Sequence, residues 1–147
     1  MHKSDSDDIL WLKLSGHLLS CQNDVHICLT YIVPENSSWN VFITTSVYDR
    51  VLLHITEIST ACNGACTFIV LGVLNSGVGN LVYYVENDYF NPHVNLLPDD
   101  YKYDVPLLRS SRDSVINTYG RKLIDFCKES SLRILNGRIG EDAGIGD

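Results

Sequence analysis

The sequence predicts a single layered α/β domain, a mixed β-sheet packed with two main helices. Three observations carry this. Strand-like and helix-like patterns alternate along the chain in the order β, β, α, β, long loop, α, β. A nearly unbroken apolar run, CTFIVLGVL, ends on a glycine-rich turn. The 147 residues, 45% of them hydrophobic, suffice for one core and leave little room for two.

Each element has its own warrant. In Asp8–Leu14 (DILWLKL), Leu10, Leu12 and Leu14 fall on one face of a strand. Gly16 to Asp24 is polar and reads as a turn. Val25 to Val33 (VHICLTYIV) is rich in β-branched and aromatic residues and stops at Pro34, a second strand. Residues 35–40 (ENSSWN) form a loop. Ser46 with Asp49 three residues later resembles a helix-start capping pair. Val47, Val51, Ile55 and Ile58 then follow helical spacing, and Asn63-Gly64 ends the helix. Cys66 to Leu74 is short for a buried helix, so it predicts a central strand covered on both faces. Residues 80–113, with Pro92, Pro98 and Pro106, predict a long irregular loop within the domain. Ile116, Tyr119, Leu123, Phe126 and Cys127 share a helical face, Leu132 to Leu135 reads as a last strand, and Gly137 to Asp147 as a tail.

Charge and cysteine usage narrow the function. A net charge of −7 argues against holding nucleic acid by bulk electrostatics. The distribution is uneven. Residues 109–138 carry seven basic side chains (Arg109, Arg112, Arg121, Lys122, Lys128, Arg133, Arg138) against Asp113, Asp125 and Glu129, a local net of +4 that leaves −11 elsewhere. A segment of that kind could touch phosphate, although a solvated helix face is the simpler reading. The five cysteines are irregularly spaced, which predicts reduced thiols, with Cys28 and Cys127 in the core. Cys62-x-x-x-Cys66 with His54 upstream is zinc-like in part, but no second ligand pair follows. The polar start MHKSDSDD is unlike a signal peptide, and no apolar run approaches the ~20 residues that span a bilayer. An intracellular protein, nuclear or cytoplasmic, without membrane association is expected.

In α/β sheets ligands bind beyond the carboxyl ends of strands. Two such places are Tyr31, shortly before Pro34, and Gly72-Val73-Leu74-Asn75, where an apolar strand meets its turn. By pattern alone, Asn75 is a turn former.

The stretches DILWLKL, ICLTYIVPENSS, FIVLGVLNSGVGN and YGRKLIDFCKESSLRILNGRIG, in this order, resemble the endonuclease/exonuclease/phosphatase superfamily. Within it they are most similar to the endonuclease domain of non-LTR retrotransposon endonuclease–reverse transcriptase proteins. The resemblance covers almost the whole chain, and LIDFCKESSLRILNGR is its strongest part. It implies a DNase I-like α/β sandwich with paired sheets between helical layers. It implies Mg²⁺-assisted hydrolysis of DNA phosphodiesters, with the metal neutralising charge on the phosphoryl oxygens. The family's central motif is Gly-Asp-Phe-Asn followed by Ala-Arg-x-Gly. Here Gly72, Asn75 and Gly79 match, while Val73, Leu74 and Gly77 replace the Asp, the Phe and the Arg.

By this resemblance Asn75 is the residue that hydrogen-bonds nucleophile or phosphate, and Tyr31 stands beside the scissile phosphate, both vestigial here. Val73 is the degenerate catalytic position. Arg109, Asp113, Asn117 and Gly120 match a recurring retroelement pattern; Arg109 and Arg112 are candidate phosphate contacts, and Asp113 and Asn117 are loop and helix-cap residues. The family's metal-binding Glu would fall upstream of DILWLKL and its Asp-His pair beyond residue 147, and His93 does not replace that His. The expectation is an incomplete domain with impaired catalysis, no Mg²⁺ bound by this chain and weak DNA contact. Self-association through exposed sheet edges follows from missing strands. The competing expectations are a non-catalytic module that binds nucleic acid or protein through the +4 segment, and a retroelement remnant without selected function.

Overall fold

A computed structural model describes residues 8–38, 46–84 and 111–136. They form a mixed α/β arrangement: a three-stranded sheet with two helices on one of its faces. The strands are β1 (Ile9–Leu14), β2 (Asp24–Tyr31) and β3 (Cys66–Val73), and the helices are α1 (Val47–Ala61) and α2 (Thr118–Ser130).

β1 and β2 are antiparallel, in register from Ile9 opposite Thr30 to Leu14 opposite Val25. A short 3₁₀ turn, Gly16–Leu19, begins the connection. Gly16 is required there, since a Cβ would lie 2.4 Å from the Asn23 carbonyl oxygen. α1 then carries the chain across so that β3 runs parallel to β2, from Asp24 opposite Cys66 to Tyr31 opposite Val73.

α1 starts where the sequence places it, although Ser46 makes no side-chain capping bond. Asp49 in the first turn still complements the helix dipole. Val47, Tyr48, Val51 and Ile55 are buried, so the helical spacing holds. The Arg50 guanidinium grips both carboxylate oxygens of Asp8 and ties the helix to the entry of β1. The core gathers Ile9, Trp11, Cys28, Val51, Phe126 and Cys127 between sheet and helices, and the two cysteines sit where expected. Burial pushes the Cys28 thiol up to about 12.

Three expectations need correction. Among the described residues β3 is an edge strand and not a central one covered on both faces. β2 is central, and Ile69, Leu71 and Val73 of β3 are exposed. An unbroken apolar run marks a strand but does not say how many faces are covered. Leu10, Leu12 and Leu14 do share a face, but it is the one away from the helices, while Ile9 and Trp11 point into the core. Ile116 lies outside α2 and forms a bridge with Val78 instead, because Asn117 caps the helix one residue later. Leu132 to Leu135 forms no strand; Leu132 and Ile134 pack on the core without a ladder partner.

Among the described residues, no element packs on the face of the sheet away from the helices, and that face is apolar. Leu10, Leu12, Leu29, Ile69, Leu71 and Val73 are all exposed on it, with Tyr31 beside them. Residues 85–110 of the expected loop lie outside the described residues, as does the tail from 137. The loop's described ends meet, since the Ser111 amide donates to Asn80 Oδ1 at 2.9 Å. No helix among the described residues is long and apolar enough to cross a membrane.

Candidate functional site

The turn after β3 is the site singled out by the sequence, and a backbone fold of unusual constraint builds it. Gly72 has φ +140°, and a Cβ there would fall 1.8 Å from the Thr30 carbonyl oxygen of β2. Only glycine fits so close an approach. Val73 follows, directly opposite Tyr31 in the parallel ladder. Both side chains lie on the open face, about half exposed. The Val73 carbonyl accepts from the Ile32 amide at 2.8 Å, which carries the pairing one residue beyond β2.

Asn75 adopts φ +48°, a left-handed conformation that asparagine tolerates better than most residues. Its Nδ2 donates to the Ile32 carbonyl at 2.6 Å. Tyr31 and Val73 are thus paired at the carboxyl ends of two neighbouring strands, and Asn75, two residues further on, is bonded to the residue after Tyr31. That bond gives the Asn75 amide a structural partner, as the turn-former reading expects.

The turn is clamped from the other side by Asn117. As the N-cap of α2 its Oδ1 accepts from the Gly120 amide at 2.7 Å, and also from the Gly77 amide at 3.2 Å. Its Nδ2 donates to the Asn75 carbonyl at 2.9 Å, and its own amide donates to the Gly77 carbonyl at 3.1 Å. Gly120 lets the helix sit against the turn, because a Cβ there would lie 1.7 Å from the Gly77 oxygen. Asp113 accepts from the Val115 amide at 2.8 Å and shapes the approach to α2. Asn117 and Gly120 therefore dock a helix onto the turn; Arg109 lies outside the described residues. Arg112 is exposed.

Two further groups complete the setting. The Tyr48 hydroxyl pairs with Ser76 Oγ, whose own hydroxyl reaches the Leu74 carbonyl at 2.7 Å. Burial pushes the Tyr48 phenol up to about 12, so it is neutral at physiological pH. Behind the turn, a cavity of about 590 Å³ runs between sheet and helices, walled by Phe68, Val70, Leu74 and Leu123 and reaching Asn75 and Asp113.

The chemistry of this turn follows from its donors. Mg²⁺ takes oxygen ligands, usually with one or two carboxylates. Tyr31, Val73 and Asn75 offer a phenol, two methyl groups and an amide oxygen, so these three residues bring no carboxylate to such an ion. Among the described residues no three His, Cys, Asp or Glu side chains are grouped to hold a metal. The zinc-like trio is otherwise engaged as well: His54 Nδ1 accepts from Trp11 Nε1 at 3.0 Å, while Cys62 Sγ donates to the Ile58 carbonyl at 2.9 Å.

Sequence reasoning gave Asn117 a helix cap but missed its clamp, and it missed the Tyr48–Ser76 pair altogether. The residues involved stand 28 to 42 positions apart, and no local pattern marks them. No protein-family model, curated protein or solved structure matches the chain.

Proposed function

We propose that this chain is a retroelement-type member of the endonuclease/exonuclease/phosphatase superfamily that keeps the strand-end scaffold of a DNA hydrolase and has lost the hydrolysis. The observation that carries the reading is the register of Val73 opposite Tyr31, with Asn75 locked beside them on the Ile32 carbonyl. These are the three positions to which the motif resemblance assigns the acid, the tyrosine and the asparagine of such a site.

Phosphodiester hydrolysis needs water oriented and deprotonated, and negative charge on the phosphoryl oxygens neutralised. Valine does neither. Removing one positioned acid or base typically costs about 10²–10⁴-fold in rate. The same substitution suits a strand, where a β-branched side chain packs well. The scaffold thus outlasts the chemistry. On this reading Mg²⁺ is not held at the turn, and DNA contact is weak. The exposed Arg121, Lys122 and Lys128 of α2 are interleaved with Asp125 and Glu129, which dilutes any phosphate-binding face.

The open apolar face fits the same reading, since a DNase I-like domain pairs one sheet with another there. Uncovered apolar surface of this kind drives association. The test is one preparation of the whole chain. Passed over a sizing column, it is expected to run larger than a monomer. Incubated with supercoiled plasmid and Mg²⁺, neither the wild type nor Val73→Asp is expected to nick above the buffer control. Nicking that rises with wild-type protein overturns the loss of hydrolysis. A monodisperse monomer overturns the role given to the open face.

A further inference from the structure

We propose that the cavity between sheet and helices is a binding site for an uncharged apolar molecule that ends in a hydroxyl group. No step of the hydrolase reading uses this space.

The walls set the body of such a ligand. Phe68 and Val70 of β3 form one side and Leu123 and Phe126 of α2 another, while Leu74 and Ile134 line it from the segments that follow β3 and α2. The volume, about 590 Å³, lies within the roughly 300–1,000 Å³ range of small-molecule sites. Water is a poor occupant of a space walled this way, because it needs about two to four polar partners to replace the hydrogen bonds it leaves in solution. Apolar walls that face one another across a gap also forgo the dispersion contacts of close packing. A hydrocarbon body restores those contacts and takes its own surface out of water.

The hydroxyl groups along the cavity set the polar end. Thr30, Tyr48 and Ser76 all line it, and the first two are buried. Each hydroxyl has one proton to give. That of Thr30 goes to the Asp8 carbonyl at 2.9 Å, and that of Ser76 to the Leu74 carbonyl at 2.7 Å. A carbonyl only accepts, so both directions are fixed. Tyr48 is then the donor in its bond to Ser76. All three protons are committed within the protein, and what the three oxygens still offer is lone pairs. A ligand meets them by donating, as an alcohol does and an ether does not.

Charge disfavours an ionised ligand. Asp113 and Arg133 are the charged side chains lining the cavity among the described residues, one acid and one base, so neither sign is favoured. An ion would leave water for apolar walls with no net opposite charge to offset its desolvation.

The experiment loads the folded full chain with N-phenyl-1-naphthylamine, an uncharged dye whose emission rises in apolar sites, and displaces it with 1-decanol. Saturable displacement is expected. The methyl ether of decanol, which cannot donate, is expected to displace about fivefold more weakly. Decanoate, a chain of the same length with a negative charge, is expected to be weaker still. Val70→Phe puts a ring into the cavity from β3 and is expected to abolish saturable displacement while the urea midpoint holds. Leu12→Ser, on the face of the sheet away from the helices, is expected to leave decanol binding unchanged. A decanol carrying a photoreactive diazirine gives a reading on the wild type that needs no variant to fold. It is expected to label residues 68–74 or 123–134 and to spare Leu10 and Leu12. Equal displacement by alcohol, ether and carboxylate, decanol binding retained in folded Val70→Phe or lost in Leu12→Ser, labelling at Leu10 or Leu12, or no displacement at all each overturn the proposal.

Discussion

Asn117→Ala is expected to lower the unfolding free energy by about 3 kcal/mol, from about 1 kcal/mol for a lost helix cap and about 1 kcal/mol for each of two backbone groups left without a partner. Those groups are the Gly77 amide and the Asn75 carbonyl, which Asn117 satisfies at 3.2 and 2.9 Å. Asn117→Asp separates the contributions. An aspartate still accepts from Gly120 and Gly77 but has no Nδ2 to donate to Asn75, so its cost should be about 1 kcal/mol. Urea denaturation of the two variants beside the wild type reads both numbers. A loss under about 0.5 kcal/mol for Asn117→Ala is the size of an ordinary surface change and would mean that the clamp is absent.

Gly120→Ala is expected to have an effect at least as large, and its sign is diagnostic. In an undocked helix interior alanine is favoured over glycine by about 0.8–1.0 kcal/mol. Here the added Cβ would meet the Gly77 carbonyl oxygen at 1.7 Å and its carbon at 2.6 Å. Both are backbone atoms, which cannot swing aside as the end of a side chain can. Helix and turn must separate, at a cost of about 3 kcal/mol or more. Denaturation should show a marked loss, and a chain too unstable to purify is the same result in stronger form. A gain in stability would show that α2 does not rest on the turn.

These two residues also mark where sequence stopped being readable. The places of β1, β2 and α1 follow from local chemistry, alternation, β-branched content and an Asn-Gly turn, although β2 ends at Tyr31, two residues before the Val33 that the proline suggested. The turn after β3 was legible for the same reason, since Gly72, Asn75 and Gly79 mark a strand end. What Asn75 does there was only half legible. Its place in the motif suggested a phosphate, whereas its amide meets the Ile32 carbonyl across 43 positions of chain. Coverage of β3 was misread because apolarity records a preference for burial and not the neighbour that provides it. The Leu132–Leu135 stretch was misread because alternation fits any extended segment lying on a core, with or without a ladder beside it. In each case the deciding partner lies far off in sequence.

The central proposal is that the strand-end turn descends from a hydrolase site, with the alkyl group of Val73 where the motif has its acid. It is tested most directly by titrating Mg²⁺ into isotope-labelled protein while following the Val73 methyls, the Asn75 side-chain amide and the Tyr31 ring by NMR. The account predicts that all three signals stay in place as the ion is added, because Val73 brings no oxygen to the position where the motif has its acid. Saturable shifts at these residues with a shared dissociation constant would show that another carboxylate completes the site, and would contradict it.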